Sequence, residues 1–210
     1  MLLYYDNEEY MTSVTDKIIN RIKYKNRGWV FTPRDFLDVG SRGTVDQVLF
    51  RLVKQGMIRR LDRGVYDYPK QHATLGTLSP NPDGLARALA GGDRVFPSGA
   101  VAANTLGLST QVPAKSFYVT NSTVRSRFIA GQTIKLKRAR VALLDNVHDK
   151  TNFVLQALSY LGKINMDDQI IQRCACVLSD RDMLDLNKAI SHIPGWMADT
   201  LHKIQQAKHG

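Results

Sequence analysis

Residues 32–68, TPRDFLDVGSRGTVDQVLFRLVKQGMIRRLDRGVYDY, limit the possible folds more than any other stretch of this chain. Thr32 is placed to cap a helix whose first residue is Pro33, where a missing N–H costs nothing. Asp35 stands three residues after that cap. Val39-Gly40 ends the helix, and Ser41 or Thr44 caps the next one. In that second helix, spanning 44–55, Val45, Val48, Leu49, Leu52 and Val53 fall at i, i+3, i+4, i+7 and i+8, a single apolar stripe at helical period. Gly56 closes it. Residues 58–61 and 65–68 then have the composition of two short strands around Asp62-Arg63-Gly64.

Two helices joined by a tight turn and followed by a hairpin is the order of a winged helix-turn-helix. The polar face of the second helix fits that reading. Thr44, Gln47, Arg51 and Lys54 lie opposite the apolar stripe, and Arg42 sits just before it. A recognition helix needs donors and acceptors for base edges near its N-terminus and cations for phosphates. Gln pairs bidentately with adenine, and Arg with guanine or phosphate. Arg59, Arg60 and Arg63 crowd the hairpin, where a wing meets the DNA backbone or minor groove. The competing reading is a solvated helix followed by a charged turn. If Thr44 rather than Ser41 is the cap, Gln47 folds back into a capping box and is less free to read a base.

A formal charge of +10 over 210 residues favours a polyanionic partner, nucleic acid before membrane. No apolar run approaches the roughly 20 residues of a spanning helix. The start, MLLYYDNEEY, lacks the basic and apolar regions of a secretory signal, so a cytoplasmic location is expected. Cys174 and Cys176, without a second cysteine pair, are expected to be buried free thiols.

The overall expectation is an α+β chain: an N-terminal winged helix-turn-helix followed by a mixed α/β C-terminal domain ending in helices. Residues 1–10 form a flexible extension, with Met1 or Met11 as the start. Residues 11–69 form the winged domain, 70–82 a linker rich in turn residues, and 83–210 the C-terminal domain. A supporting helix begins at Ser13 with Asp16 closing its cap; Val14, Ile18, Ile19 and Ile22 are its apolar side. After the linker come short helices at 83–90 and 99–106, then strands at 116–120, 127–130, 133–137 and 140–144. From about 150 the chain reads as helices: Val154, Leu155, Leu158 and Leu161 make one stripe, Ile170, Ile171, Cys174, Val177 and Leu178 another. Ser179 with Asp182 caps a third, and Pro194 opens a fourth.

Between Asp93 and Asp145 there is no acidic residue, while Arg94, Lys115, Arg125, Arg127, Lys135, Lys137, Arg138 and Arg140 fall in that stretch. Lys135 and Lys137 share one strand face, since side chains repeat every two residues. The strands are therefore candidates for a second polyanion surface through Arg125, Arg127, Lys135, Lys137, Arg138 and Arg140; a solvated strand face is the alternative. No catalytic set emerges. A phosphate-binding glycine loop and a dinucleotide fingerprint are both missing, and the five histidines are scattered. Asp167-Asp168 points to a helix N-terminus rather than a metal site. No enzyme activity, metal or cofactor is expected.

Four segments together carry a resemblance: MTSVTDKI, GWVFTPRDFLDVGSR, RLVKQGMIRRLDRGVYDYP and FPSGAVAANTLGLSTQVPAK. Over about residues 11–200 the chain resembles the AbiEi-like antitoxins of type IV toxin–antitoxin (abortive infection) systems. The winged part alone is weakly specific; its combination with AANTLGLSTQVP is far more so. The resemblance implies an N-terminal domain that represses its own operon at inverted repeats in the promoter. It also implies a C-terminal domain carrying antitoxicity against a nucleotidyltransferase-like toxin, without a stable complex between the two proteins. By that match Arg42, Thr44, Gln47, Arg51 and Lys54 take the recognition-helix role and Arg59, Arg60 and Arg63 the wing role. Asn104, Ser109, Thr110 and Gln111 are the exposed polar candidates of the antitoxin domain. Two other functions remain open from the residues. One is a stand-alone winged-helix regulator with a ligand-sensing or dimerising C-terminal domain. The other is an RNA-binding protein that docks RNA on its basic 115–140 region.

Overall fold

The computed structural model describes residues 13–111 and 117–209. The expected extension at 1–10, the alternative start at Met11 and Lys115 lie outside the described residues. The chain is α+β, with helices at both ends and small sheets between them, and it divides into two compact units, 1–88 and 89–210.

In the first unit, helix α1 (Val14–Tyr24) opens with the expected box, the Ser13 hydroxyl accepting from the Asp16 N–H while the Asp16 carboxylate takes the Ser13 N–H. Ile18 and Ile22 are its fully buried residues. Strand β1 (Val30–Phe31) follows. The helix expected after Thr32 is only one 3-10 turn, Pro33–Phe36. Its bonds run i to i+3, Leu37 N–H to Arg34 and Val39 N–H to Phe36. A segment this short gains little from helix propagation, so side-chain packing holds it instead. Phe36 is buried edge-on against Trp29 and Phe31, and Phe31 stacks on Tyr66.

Helix α2 (Arg42–Lys54) buries Val45, Val48, Leu49 and Leu52 as its stripe predicts. Gly56 takes the left-handed conformation (φ +70°) that stops it. Strands β2 (Arg59–Asp62) and β3 (Val65–Asp67) form the hairpin, with Gly64 at φ +71° in its turn. The sheet order is β1-β3-β2, all antiparallel, and the register shifts between Arg60 and Asp62. Residues 70–82, expected as a linker, contain a small exposed hairpin, β4 (Gln71–His72) with β5 (Gly76–Thr77). Helix α3 (Pro82–Ala90) comes next.

In the second unit, β6 (Phe96–Pro97), α4 (Gly99–Thr105), β7 (Phe117–Thr120), β8 (Arg125–Ile129) and β9 (Gln132–Arg138) precede four helices. The sheet order is β6-β7-β9-β8, with only β7–β9 parallel. The helices are α5 (Asp149–Leu161), α6 (Asp168–Val177), α7 (Asp180–Asn187) and α8 (Gly195–His209). Their core joins Val154, Leu155 and Leu158 of α5 to Ile171 and Cys174 of α6, Leu186 of α7 and Leu201 and Ile204 of α8. Asp167 caps α6, its carboxylate accepting from the Ile170 N–H, and Ser179 with Asp182 boxes α7.

Two expectations are corrected here. Residues 140–144 are not a strand. Val141, Leu143 and Leu144 are buried as a strand pattern requires, but side-chain amides replace the ladder. Asn121 bonds both the N–H and the C=O of Leu143 (2.7 Å each), Asn152 does the same for Leu144 (2.8 Å each), and Gln156 donates to Val141 O. The second correction concerns the thiols. Cys174 is buried, its thiol pushed up to about 11 by burial, whereas Cys176 is exposed. Two residues along a helix is a rotation of about 200°, so one helix cannot bury both against one core.

Candidate nucleic-acid interface

Ser41 is the cap of α2: its hydroxyl accepts from the Thr44 N–H at 3.3 Å. Arg42 and Thr44 are thus within the first turn, and Thr44, not Gln47, sits three residues after the cap. Gln47 therefore takes no part in a capping box. Thr44, Gln47, Arg51 and Lys54 are all exposed on the face opposite the buried stripe. Arg42 instead holds Asp46 one turn on (Nε–Oδ2 2.9 Å), so its cation is partly compensated on the helix itself. The Thr44 hydroxyl also lies 2.9 Å from that of Ser41.

Phe50, which is not among the polar and basic residues expected on this face, belongs to it as well. The residue is 57 % exposed, and the Lys54 ammonium rests over its ring at 4.7 Å. The signal was available: at 100° per residue, Phe50 falls beside Gln47 and Lys54 and away from Leu49. An exposed aromatic ring there offers an apolar surface of the kind that meets a thymine methyl.

The three hairpin arginines do different things. Arg63 is exposed at the tip, and Arg60 is exposed with a long contact (3.5 Å) to the Asp62 carbonyl. Arg59 is drawn inward. It makes two bonds to Asp67 and a third to the Leu78 carbonyl, and the Asp67 bond raises its already high pKa. Its cation is paired within the unit, so of the three hairpin arginines it is the one least free to meet a phosphate. Arg21 is spent similarly. It grips Asp38 bidentately (2.6 and 2.7 Å) and the Asp35 carbonyl, tying α1 to the 3-10 turn; the bond to Arg21 holds the Asp38 carboxyl below its usual range.

The second basic group is split by strand alternation. Residues paired in register share a face: Lys135 and Lys137 lie with Phe117, Val119 and Ser126, while Arg125 and Arg127 lie with Ile134 and Leu136. A single continuous surface through all six residues is therefore not formed. Arg125 donates to the Leu89 carbonyl, and Arg94 is paired with Asp145 and Asp149. Lys137, Arg138 and Arg140 all contribute to the lining of one groove at the end of β9, although alternation sets Lys137 and Arg138 on opposite strand faces.

Asn104, Ser109 and Gln111 form a folded loop rather than a free polar display. Asn104 donates to the Ser109 carbonyl, the Gln111 N–H to the Ser109 hydroxyl, and Tyr160 to Gln111 Oε1 at 3.0 Å. Thr110 is exposed. The residues following Gln111 in that motif lie outside the described residues. Among the described residues no helix is long and apolar enough to cross a membrane.

The fold and site define an α+β protein with a small N-terminal helix-and-hairpin unit that presents an exposed polar and cationic helix face. The chain belongs to a family of unknown function, DUF6088, whose match covers residues 17–186. No curated protein matches it.

Proposed function

We propose that the N-terminal unit is a winged helix-turn-helix that binds duplex DNA, with α2 in the major groove and the β2–β3 hairpin as its wing. The observation that carries this reading is the exposed face of α2. Thr44, Gln47, Arg51 and Lys54 stand clear of the core, and the side chains of Gln47 and Arg51 make no hydrogen bond or ion pair with another described residue. Buried neighbours on the opposite side fix that face in place. Exposed Arg60 and Arg63 support phosphate contacts beside it.

The resemblance to AbiEi-like antitoxins supports the wider role. In that role the protein is a cytoplasmic autorepressor of a toxin–antitoxin operon, bound to inverted repeats in its own promoter. Its C-terminal unit opposes a nucleotidyltransferase-like toxin without a stable complex. Two experiments test this. In a binding titration, the duplex upstream of the gene should bind more tightly than a scrambled duplex at the same salt concentration; equal affinity contradicts sequence-specific recognition. Co-expression with a neighbouring toxin should restore growth although the two proteins do not co-purify. Persistent toxicity with soluble protein present contradicts the antitoxin role.

A further inference from the structure

In the second unit a groove of about 660 Å³ lies between the sheet and α5. Ser98, Phe117, Lys137, Arg138, Arg140 and Tyr160 are among the residues that line it. Its volume is within the range of small-molecule sites, roughly 300–1,000 Å³, and well above what a bare oxyanion fills.

The charge in this groove is uncompensated. Three cations fall within four consecutive positions, and no carboxylate lines the groove. None of the three side chains makes a hydrogen bond or ion pair with another described residue. Arg94 in the same unit shows the contrast, since it is held by two aspartates. Like charges gathered in a concavity repel, and an anion bound among them removes that penalty. Arginine forks match phosphate oxygens bidentately.

A second observation points to a ligand independently. The Ser98 hydroxyl oxygen is buried at the groove wall and has no hydrogen-bond partner among the described residues. Unpaired buried hydroxyls are rare, and each calls for a partner. The wall beside it is rigid: a Cβ at Gly99 would stand 2.3 Å from the Gln156 carbonyl oxygen and 2.6 Å from Tyr160 Cβ. Phe117 supplies an apolar ring, with the Lys137 ammonium 4.3 Å from its centroid.

We infer that this groove binds a nucleoside phosphate: Lys137, Arg138 and Arg140 hold the phosphates, Ser98 donates to the ligand, and the base lies among the rings of Phe117 and Tyr160. The same phosphate chemistry occurs in a nucleic-acid chain, and the test separates the two sources. Calorimetric titration of the full chain would use ATP, GTP, CTP and UTP, with the four nucleosides, inorganic phosphate and a ten-nucleotide single strand as comparisons. At least one triphosphate should bind with Kd below ~100 µM, and its nucleoside and inorganic phosphate at least ~10-fold more weakly. The double variant Arg138→Gln/Arg140→Gln, checked for an unchanged melting temperature, should weaken binding by at least ~10-fold, while Lys203→Gln on α8 leaves it unchanged. Lys137→Gln and Ser98→Ala provide two further variants of the same groove and should weaken binding in the same sense. The inference is overturned if no triphosphate binds below ~1 mM, or if binding is indifferent to all groove variants. It is equally overturned if inorganic phosphate binds as well as the triphosphates, or if only the oligonucleotide binds.

Discussion

Arg59 and Asp67 are direct cross-strand partners in the hairpin, and their side chains meet in two hydrogen bonds of 3.0 and 2.5 Å. The carboxylate is 1 % exposed and the arginine side chain 33 %. Breaking such a pair leaves a buried charge without a partner. Arg59→Ala should therefore destabilise the protein by roughly 2–3 kcal/mol, below the 3–5 of a fully buried pair because water reaches the guanidinium. Urea denaturation measures this; an unchanged midpoint would show that the pair braces nothing.

Arg63→Ala should do the opposite. It lies at an exposed tip, so stability should hold within about 0.5 kcal/mol. Affinity for duplex DNA should fall, and the log–log salt slope should flatten by about 0.9 per lost phosphate contact. Binding titrations between 50 and 200 mM salt, on the order of the range where such slopes are read, separate the two arginines. A salt slope unchanged in Arg63→Ala contradicts the wing role.

The difference between these arginines marks what was legible in the sequence. Periodicity located α2, its buried stripe and its exposed face, because burial follows the helical repeat directly. The caps at Ser13 and Ser179 were legible because they are local. The partner of Arg59 was not, since it depends on which residue of β3 lies opposite. Residues 140–144 look like a strand by composition, but Asn121 and Asn152 satisfy their backbone from elsewhere in the chain. The groove cations could be counted in the sequence, yet strand alternation and the bend after Arg138 decide which of them meet.

Glycines 99 and 43 should respond to the same substitution with opposite signs. Gly99→Ala drives a methyl into the Gln156 carbonyl and Tyr160 Cβ, neither able to yield cheaply. A loss of about 1–3 kcal/mol is expected. At Gly43, in the first turn of α2, a Cβ meets nothing within 4 Å. There Ala should stabilise by up to about 1 kcal/mol through helix propensity. Denaturant midpoints of the two variants check both signs.

Asp185 should give the second unit part of its acid sensitivity. Its carboxylate accepts from Lys188, the Thr151 hydroxyl and the His148 N–H, and together these hold its pKa well below the usual carboxylate range. A depressed folded-state value stabilises the fold above the unfolded value of about 3.9 and loses that contribution as pH falls toward the folded one. Asp185→Asn should destabilise by roughly 1.5–3 kcal/mol at neutral pH. The gap to the parent protein should narrow below about pH 4. A gap that stays constant down to about pH 2 contradicts the linkage.

Base reading by α2 is what most separates a sequence-specific repressor from a protein that merely carries a solvated cationic helix. The direct measurement is the affinity of the parent protein and of Gln47→Ala for the upstream duplex and for duplexes carrying each single base-pair change within the bound site. The parent should lose about 1–3 kcal/mol for a change at the one or two pairs that Gln47 contacts. The variant should lose that discrimination there and keep it elsewhere. Lys54→Ala, measured alongside, should weaken binding to every duplex alike. If Gln47→Ala discriminates at every position as the parent does, α2 is not the recognition helix.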